Sequence, residues 1–372
     1  MAKYGLETVE VSGSAREMGR AYGEALRDRI AAFVPHRLAA TRAYLSARSY
    51  SGSHDFASAG AACLDELKRW DSEGHEEHSG VAEGAGVDAV ELYAAANYSD
   101  MRDLVLLGDA LGPADAEGCT SLAVPRSGSV GGCVIAAQTW DLHPKDIEYV
   151  VAVRRCPAEG PETWSVTTAG CPTLIGINES GLYVGTTNLK MRGVKVGVPY
   201  LSLLHAAARC ASRQEAADLI DGAPRVAAHS FWLADEHGAT ELECSSDTSV
   251  RREMASEPLI QTNHCLDARH QERESEPPSS SSLHRLRRTQ ALMLHGPHEV
   301  GTIQVMFQDR MDGVNSINRY PEDEQIAATN ACAIGLPSER TLYACRGPAD
   351  QGDWHALRVG ASARSGSEVG VK

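Results

Sequence analysis

Residues 116–124 read Ala-Glu-Gly-Cys-Thr-Ser-Leu-Ala-Val, and the Gly118–Cys119 bond within them has the makings of a self-cleavage site. A thiol can reach the carbonyl of its own preceding residue only where the backbone allows close approach, and glycine adopts strained geometries at least cost. Attack there gives a thioester by an N-to-S acyl shift. Water then releases the upstream chain, and Cys119 becomes a new N-terminus. Its α-amine has an ordinary pKa of about 7.7–8.0, so it can serve as general base to its own sulfur. The free thiol, at about 8.5, needs only modest help to ionise.

Three later segments supply the groups such chemistry needs. The first is "AQTWDLH", which carries Gln138, Trp140 and Asp141. If it pairs with the strand of Cys119, Asp141 returns alongside the new amine and holds it. The second is "GINESGLYVGTTNL", with Asn178, Gly181 and Asn188, read as strand–turn–strand. The third is "QTNHC", which ends a strand with Asn263 and His264. A side-chain amide and a backbone N–H near the sulfur make an oxyanion hole, worth roughly 2.7–4 kcal/mol of barrier per donor. Gln138 and Trp140 are candidate substrate contacts. A partly buried polar role for Gln138 and a core role for Trp140 are the plainer readings.

The elements that must position these residues follow from periodicity. Ser14 and Glu17 stand at capping-box spacing, and Met18, Tyr22, Ala25, Leu26 and Ile30 then recur at helical intervals, with Pro35 predicted to end or bend that helix. A second helix over 57–86 is predicted to break at Gly74, and a third opens at Asp88. After residue 110 short strands with Gly and Asn turns dominate, interrupted by a helical stretch at 200–223. Residues 267–284 are loop-like, a basic helix follows, a hairpin closes the chain, and 360–372 reads as a frayed tail. Helices first and strands later indicate an α+β domain with layered sheets, not alternating βαβ units.

Composition narrows the function. The chain has 372 residues, 42% hydrophobic and 23% charged, with a net charge of −15. That charge opposes nucleic acid and anionic membrane as partners. Neither an N-terminal signal segment nor an apolar stretch long enough to span a bilayer is read, so the expected location is cytoplasmic. Ten scattered cysteines lack a C-x-x-C pair, so they are read as reduced thiols, and neither metal nor other cofactor is expected. The basic run containing Arg285, Arg287 and Arg288 reads as a solvated helix face, with the phosphates of an acyl-CoA donor as the alternative.

Gly-Cys-Thr, Gln-x-x-Trp-Asp, Asn-x-x-Gly-Leu with a later Asn, and Thr-Asn-His occur in this order. Together they resemble the autoproteolytic acyltransferase family typified by isopenicillin N acyltransferase, within the N-terminal nucleophile hydrolases. The resemblance runs from "GSAREMGRAYGEAL" to "SERTLYACRG". It implies a four-layer αββα sandwich and cleavage between Gly118 and Cys119. Residues 1–118 would form a mostly helical fragment and 119–372 the catalytic segment, the two making one composite domain. Cys119 would be the nucleophile, Asp141 the amine anchor, Asn263 the side-chain oxyanion donor and Asn188 the contributor on the opposite side. The partners implied are a small amide or acyl-CoA donor, an amine acceptor in the transferase case, and the cleaved N-terminal fragment. Related acylases have Arg at the position of Gln138, whereas the acyltransferases share the Gln. The late Arg of several relatives falls on Gln325 or Ile326, and nearby Arg340 sits on a turn, so that role is assigned to no residue here. Two other readings remain: a non-catalytic binding or scaffold descendant with a silent Cys119, and a thiol peptidase pairing Cys119 with His264. His264 and His270 together also invite a metal or general-base reading, with a solvated pair as the plainer one.

Overall fold

Ser14 caps the first helix as its spacing requires: its hydroxyl accepts from the Glu17 N–H, and the Glu17 carboxylate answers to the Ser14 N–H. The computed structural model describes residues 2–47, 55–106, 118–323 and 325–360. The tail from 361 onward lies outside these, as do the eleven residues ahead of Gly118. Strand β1 (Glu7–Gly13) leads into six helices: α1 (Ala15–Ala25), α2 (Arg27–Ala47), α3 (Phe56–Trp70), α4 (Ser72–Ala85), α5 (Ala89–Ala96) and α6 (Tyr98–Leu106).

Pro35 sits inside α2 and does not end it. Ile30, Phe33, Val34 and Leu38 are buried on either side, so packing holds the helix through the lost hydrogen bond. The break predicted at Gly74 falls three residues earlier. Asp71 accepts from the Gly74 N–H and is the N-cap of α4. Helices α1 and α4 run in backbone contact, since a Cβ at Gly19 would stand 2.0 Å from the Glu77 carbonyl oxygen. That approach brings Glu77 under the helix layer.

The strands form two sheets. Four more strands follow in the middle of the chain: β2 (Gly118–Val124), β3 (Ile135–Leu142), β4 (Val150–Pro157) and β5 (Thr163–Thr168). Then come β6 (Ile175–Asn178) and β7 (Tyr183–Asn188), helices α7 (Tyr200–Ala207) and α8 (Arg213–Gly222), and β8 (His229–Asp235), β9 (Gly238–Cys244), β10 (Ser249–Glu253) and β11 (Leu259–Gln261). Helices α9 (Ala268–Gln271), α10 (Ser280–Met293) and α11 (Val300–Phe307) precede β12 (Ala328–Leu336), β13 (Thr341–Arg346) and β14 (His355–Arg358). One sheet has the order β1-β4-β5-β6-β7-β8-β9-β10, the other β11-β2-β3-β12-β13-β14.

Strand β2 faces β7 and β3 faces β8, so the sheets stack. Helices α1, α7 and α8 cover the outer face of the larger sheet, and α10 and α11 that of the smaller. This is the α/β/β/α order expected. All seven residues of β2 and all eight of β3 are buried, as strands covered on both faces must be. Alternation then sorts their side chains. Cys119, Ala123, Ala136, Trp140 and Leu142 join the core between the sheets. Leu122, Val124, Ile135 and Ala137 join a second core beneath α10 and α11.

Candidate active site

The register of the smaller sheet assembles the site. In the β2–β3 hairpin Gly118 pairs with Asp141 and Cys119 with Trp140, the return anticipated from sequence. On the other side Gln261 pairs with Ser121, so two residues further on Asn263 arrives opposite Cys119. Its Oδ1 accepts from the Cys119 N–H at 2.7 Å. The β12–β3 register shifts between Thr329 and Ala331. Bulges of this kind re-aim side chains, and here the Thr329 hydroxyl donates to Asp141 Oδ1 at 2.8 Å.

Period-two alternation puts Cys119 and Asp141 on opposite faces of the sheet. The sulfur faces the interior between the sheets. The carboxylate lies under Gly118, beside the backbone of Cys119. A Cβ on Gly118 would stand 2.6 Å from Asp141 Oδ2, 3.0 Å from Arg319 Nη1 and 3.2 Å from Arg285 Nη2, so only glycine fits. Asp141 Oδ2 is buried without a hydrogen-bond partner, and its nearest cation, Arg319 Nη1, is 3.8 Å away. Burial raises the Asp141 carboxyl above its ordinary range, more than Arg319, Arg285 and the Thr329 hydroxyl offset.

Burial also raises the Cys119 thiol, and the Asp141 charge adds to it. Arg285 and the backbone N–H groups of Asn188 and Asp141 pull the other way without cancelling the rise. The sulfur is a protonated thiol at neutral pH.

Arg285, wholly buried, holds this assembly together. It donates from Nη1 to the Cys119 carbonyl and to Thr120 Oγ1 at 3.2 Å, from Nη2 to Asn263 Oδ1 at 2.9 Å, and from Nε to Ser281 Oγ at 3.1 Å. Burial lowers its pKa and Arg319 lowers it further, yet guanidinium remains a cation. Sequence reading missed both arginines. Arg285 belongs to the run taken for a solvated helix face, and only Arg287 and Arg288 fit that reading: Arg287 is exposed and Arg288 pairs with Asp309. Gln325 and Ile326 are exposed, as is Arg340. The signal for Arg285 was a polar helical stripe, since Ser281, Arg285 and Thr289 recur every four residues and are all buried.

The structure brings Gly118, Cys119, Trp140, Asp141, Asn188 and Asn263 around one cavity, with Tyr98, Leu174, Tyr200 and His229 completing its wall. Asn263 presents its oxygen to Cys119, while Nδ2 donates to the Asn188 carbonyl at 3.0 Å. The donors near the sulfur are therefore backbone N–H groups and not the Asn263 amide. Gln138 is not in the cavity wall. Its Nε2 donates to the Thr186 carbonyl at 3.0 Å and its Oε1 accepts from the Thr186 N–H at 2.9 Å, so it stitches the two sheets together.

His264 turns to Ser282 Oγ at 2.7 Å and His270 to Glu243 at 2.9 Å. Among the described residues no histidine hydrogen-bonds the Cys119 sulfur. The histidine in the cavity wall is His229, held at 2.7 Å by Asp100 and stacked on Tyr200. The cavity is about 20 Å³, room for one water. A larger one of about 310 Å³ lies on the helix side against Glu77, Arg155, His205 and Arg209. Its lining has no cysteine, whereas Cys119 lines the smaller.

With this geometry in place, comparisons with known proteins bear on the chain. The family model described as acyl-coenzyme A:6-aminopenicillanic acid acyl-transferase matches residues 129–351, beginning ten residues after Cys119. No curated protein matches. Solved structures that resemble it include penicillin V acylase from Agrobacterium tumefaciens, with 11% identity, a TM-score of 0.41, and coverage of 61% of this chain and 82% of that one. A mutant conjugated bile acid hydrolase from Clostridium perfringens has 11% identity, a TM-score of 0.35, and coverage of 64% and 92%.

Proposed function

We propose a self-cleaving cysteine acyl-transfer enzyme, from the premise that this chain belongs to the acyl-coenzyme A:6-aminopenicillanic acid acyl-transferase family. Cys119 Sγ, once deprotonated, attacks the Gly118 carbonyl carbon. The C–N bond breaks as the nitrogen takes a proton, leaving a thioester between Gly118 and the sulfur. Water hydrolyses that thioester, giving a Gly118 carboxylate, the free thiol and a Cys119 α-amine. The described part of the released fragment, strand β1 and helices α1 to α6, stays packed on the rest.

The observation that carries this reading is the buried, unpartnered Asp141 Oδ2 beside the scissile bond. A buried acceptor without a donor is costly, and the amine released at Cys119 is the donor that relieves it. Asn263 Oδ1, already on the Cys119 nitrogen, holds the same amine from the other side. Gly118 can then leave a cavity that in the uncut chain admits only one water.

In turnover the α-amine takes the proton from the thiol, and the thiolate attacks the acyl carbonyl. The N–H groups of Asn188 and Asp141 near the sulfur receive the oxyanion. The α-ammonium returns its proton to the leaving group. An amine or water then attacks the thioester, giving transfer or hydrolysis. The substrate is a small amide or acyl-CoA, with the apolar and aromatic wall of Trp140, Tyr98, Leu174 and Tyr200 receiving the acyl chain. Thr186 sits in this wall too, so Gln138 acts on it only through the backbone.

Intact-mass measurement of wild type beside Cys119→Ala tests the proposal. Wild type should give two fragments, 1–118 and 119–372, with the second gaining one acyl mass on a slow donor. Cys119→Ala should stay whole and lose at least about 10⁴-fold in turnover. A single uncut wild-type mass with no acyl adduct would instead favour a silent scaffold.

A further inference from the structure

We infer that His36, His143 and Asp146 form a binding site for a divalent transition-metal ion of the zinc class, where α2 meets the chain leaving β3. Their donor atoms all lie within 4.8 Å of one another. His36 Nε2 is 3.1 Å from Asp146 Oδ1. Two ligands on a tetrahedral metal with bonds of about 2.0–2.1 Å stand roughly 3.3 Å apart, so an ion can replace the proton now shared between them.

The second observation is Asp146 itself. Its side chain is 1% exposed, and Oδ2 is buried with no hydrogen-bond partner. Arg37 Nε donates to Oδ1 at 3.0 Å, which alone would make Asp146 the counterion of Arg37. That pairing accounts for one oxygen. It explains neither the second oxygen nor the two imidazoles gathered around it. With a metal on the carboxylate, Arg37 becomes the outer hydrogen-bond donor that such ligands commonly have, and it is itself fixed against the rings of Phe33 and Tyr98. Its charge weakens the site relative to the same ligands without it.

His143 Nδ1 accepts from the Lys145 N–H at 3.3 Å, capping the turn that carries Asp146. Whichever ring nitrogen binds the ion, this long contact is given up, because a metal on Nε2 moves the ring proton to Nδ1. Two imidazoles and one carboxylate, with no thiolate, suit Zn²⁺, Co²⁺ or Ni²⁺ better than Mg²⁺ or Ca²⁺. Three protein ligands leave a position for water.

The placement gives the site a use. His36 belongs to the sequence before Cys119, and His143 and Asp146 to the sequence after it. An ion there cross-links the helix layer to the strand that carries Asp141. The site itself does not depend on cleavage.

The test titrates Co²⁺ into the chelator-stripped full-length protein, read by visible absorption, with Zn²⁺ retention measured by elemental analysis after dialysis. Wild type and Cys119→Ala should each bind one equivalent, without the near-ultraviolet thiolate charge-transfer band that cysteine ligation would produce. His36→Gln and His143→Gln should each weaken binding at least about tenfold while keeping wild-type circular dichroism. If either variant unfolds, Zn²⁺ protection of His143 from diethyl pyrocarbonate in wild type replaces it. Absence of stoichiometric binding overturns the inference. So would a thiolate band, equal binding by folded variants, or no protection of His143.

Discussion

Two of the buried charge clusters among the described residues differ in what they leave undone. Under the helix layer, Glu77 uses both carboxylate oxygens, taking Arg155 Nε at 2.6 Å and His205 Nε2 at 3.0 Å. Burial alone would raise Glu77, but Arg155 and His205 overcome it and hold the carboxyl below its usual range. In the smaller sheet, Asp141 has two arginines nearby and still keeps an oxygen without a partner and a raised pKa. A satisfied carboxylate holds structure together. An unsatisfied one beside Gly118 is, in the proposed function, reserved for the amine that scission would release. On that proposal stability and chemistry reside in different clusters of the same fold.

The sharpest way to break this contrast is to neutralise each carboxylate. Asp141→Asn should slow acyl turnover about 100- to 10,000-fold, because the amine loses its anchor. Its unfolding free energy should stay within about 1 kcal/mol of wild type, since the replaced charge was already disfavoured by burial. Glu77→Gln should do the reverse. Breaking a buried pair costs about 3–5 kcal/mol, while turnover of the folded fraction should be near wild type. Chemical denaturation and single-turnover acylation of both variants check the pair. If Asp141→Asn lost the stability and Glu77→Gln the activity, the division would be wrong.

The same contrast has a pH signature. A depressed carboxyl contributes stability above its unfolded pKa of about 4.3, and that contribution is lost as pH falls toward the folded value. Wild type should therefore lose stability below pH 4.3 more steeply than Glu77→Gln, by denaturation midpoints taken from pH 5 to pH 3. Parallel curves would mean that Glu77 is not held as an ion pair.

The parts of this arrangement legible in the sequence were those built from local signals. The capping box at Ser14 and Glu17, the hairpin that returns Asp141 to Gly118, and the strand ending in Asn263 each follow from residue type and spacing over short distances. The arginines were not legible. Arg285 reaches Cys119 from a helix 166 positions away in sequence, and its neighbours Arg287 and Arg288 are ordinary surface charges that disguise it. Arg319 lies between α11 and β12 with no periodic pattern around it. Trp140, for which core packing was the plainer reading, pairs with Cys119 and reaches the cavity, whereas Gln138, two residues earlier on the same face, meets the opposite sheet. The three proposed metal ligands, at 36, 143 and 146, share no spacing motif and meet only because α2 packs on the turn after β3.

The smallest effect concerns the thiol, and it separates the uncut site from an ordinary cysteine. In the proposed function scission begins from the thiolate, so its rate should follow the ionised fraction. The Cys119 thiol is raised first by burial and then by the Asp141 charge; a raised acid stays protonated until pH passes its shifted value. Between pH 6 and pH 9 the rate of scission should therefore climb about tenfold per unit, with no plateau. An exposed cysteine of pKa about 8.5 would already be levelling off by pH 9. Precursor recovered unfolded from inclusion bodies and refolded at each pH gives the rate by mass spectrometry. In Asp141→Asn, removal of the neighbouring charge lets the thiol ionise more easily, but burial, the larger cause, remains, so the tenfold-per-unit slope should persist through pH 9. A wild-type profile that flattens near pH 8 would mean that burial does not hold the sulfur protonated.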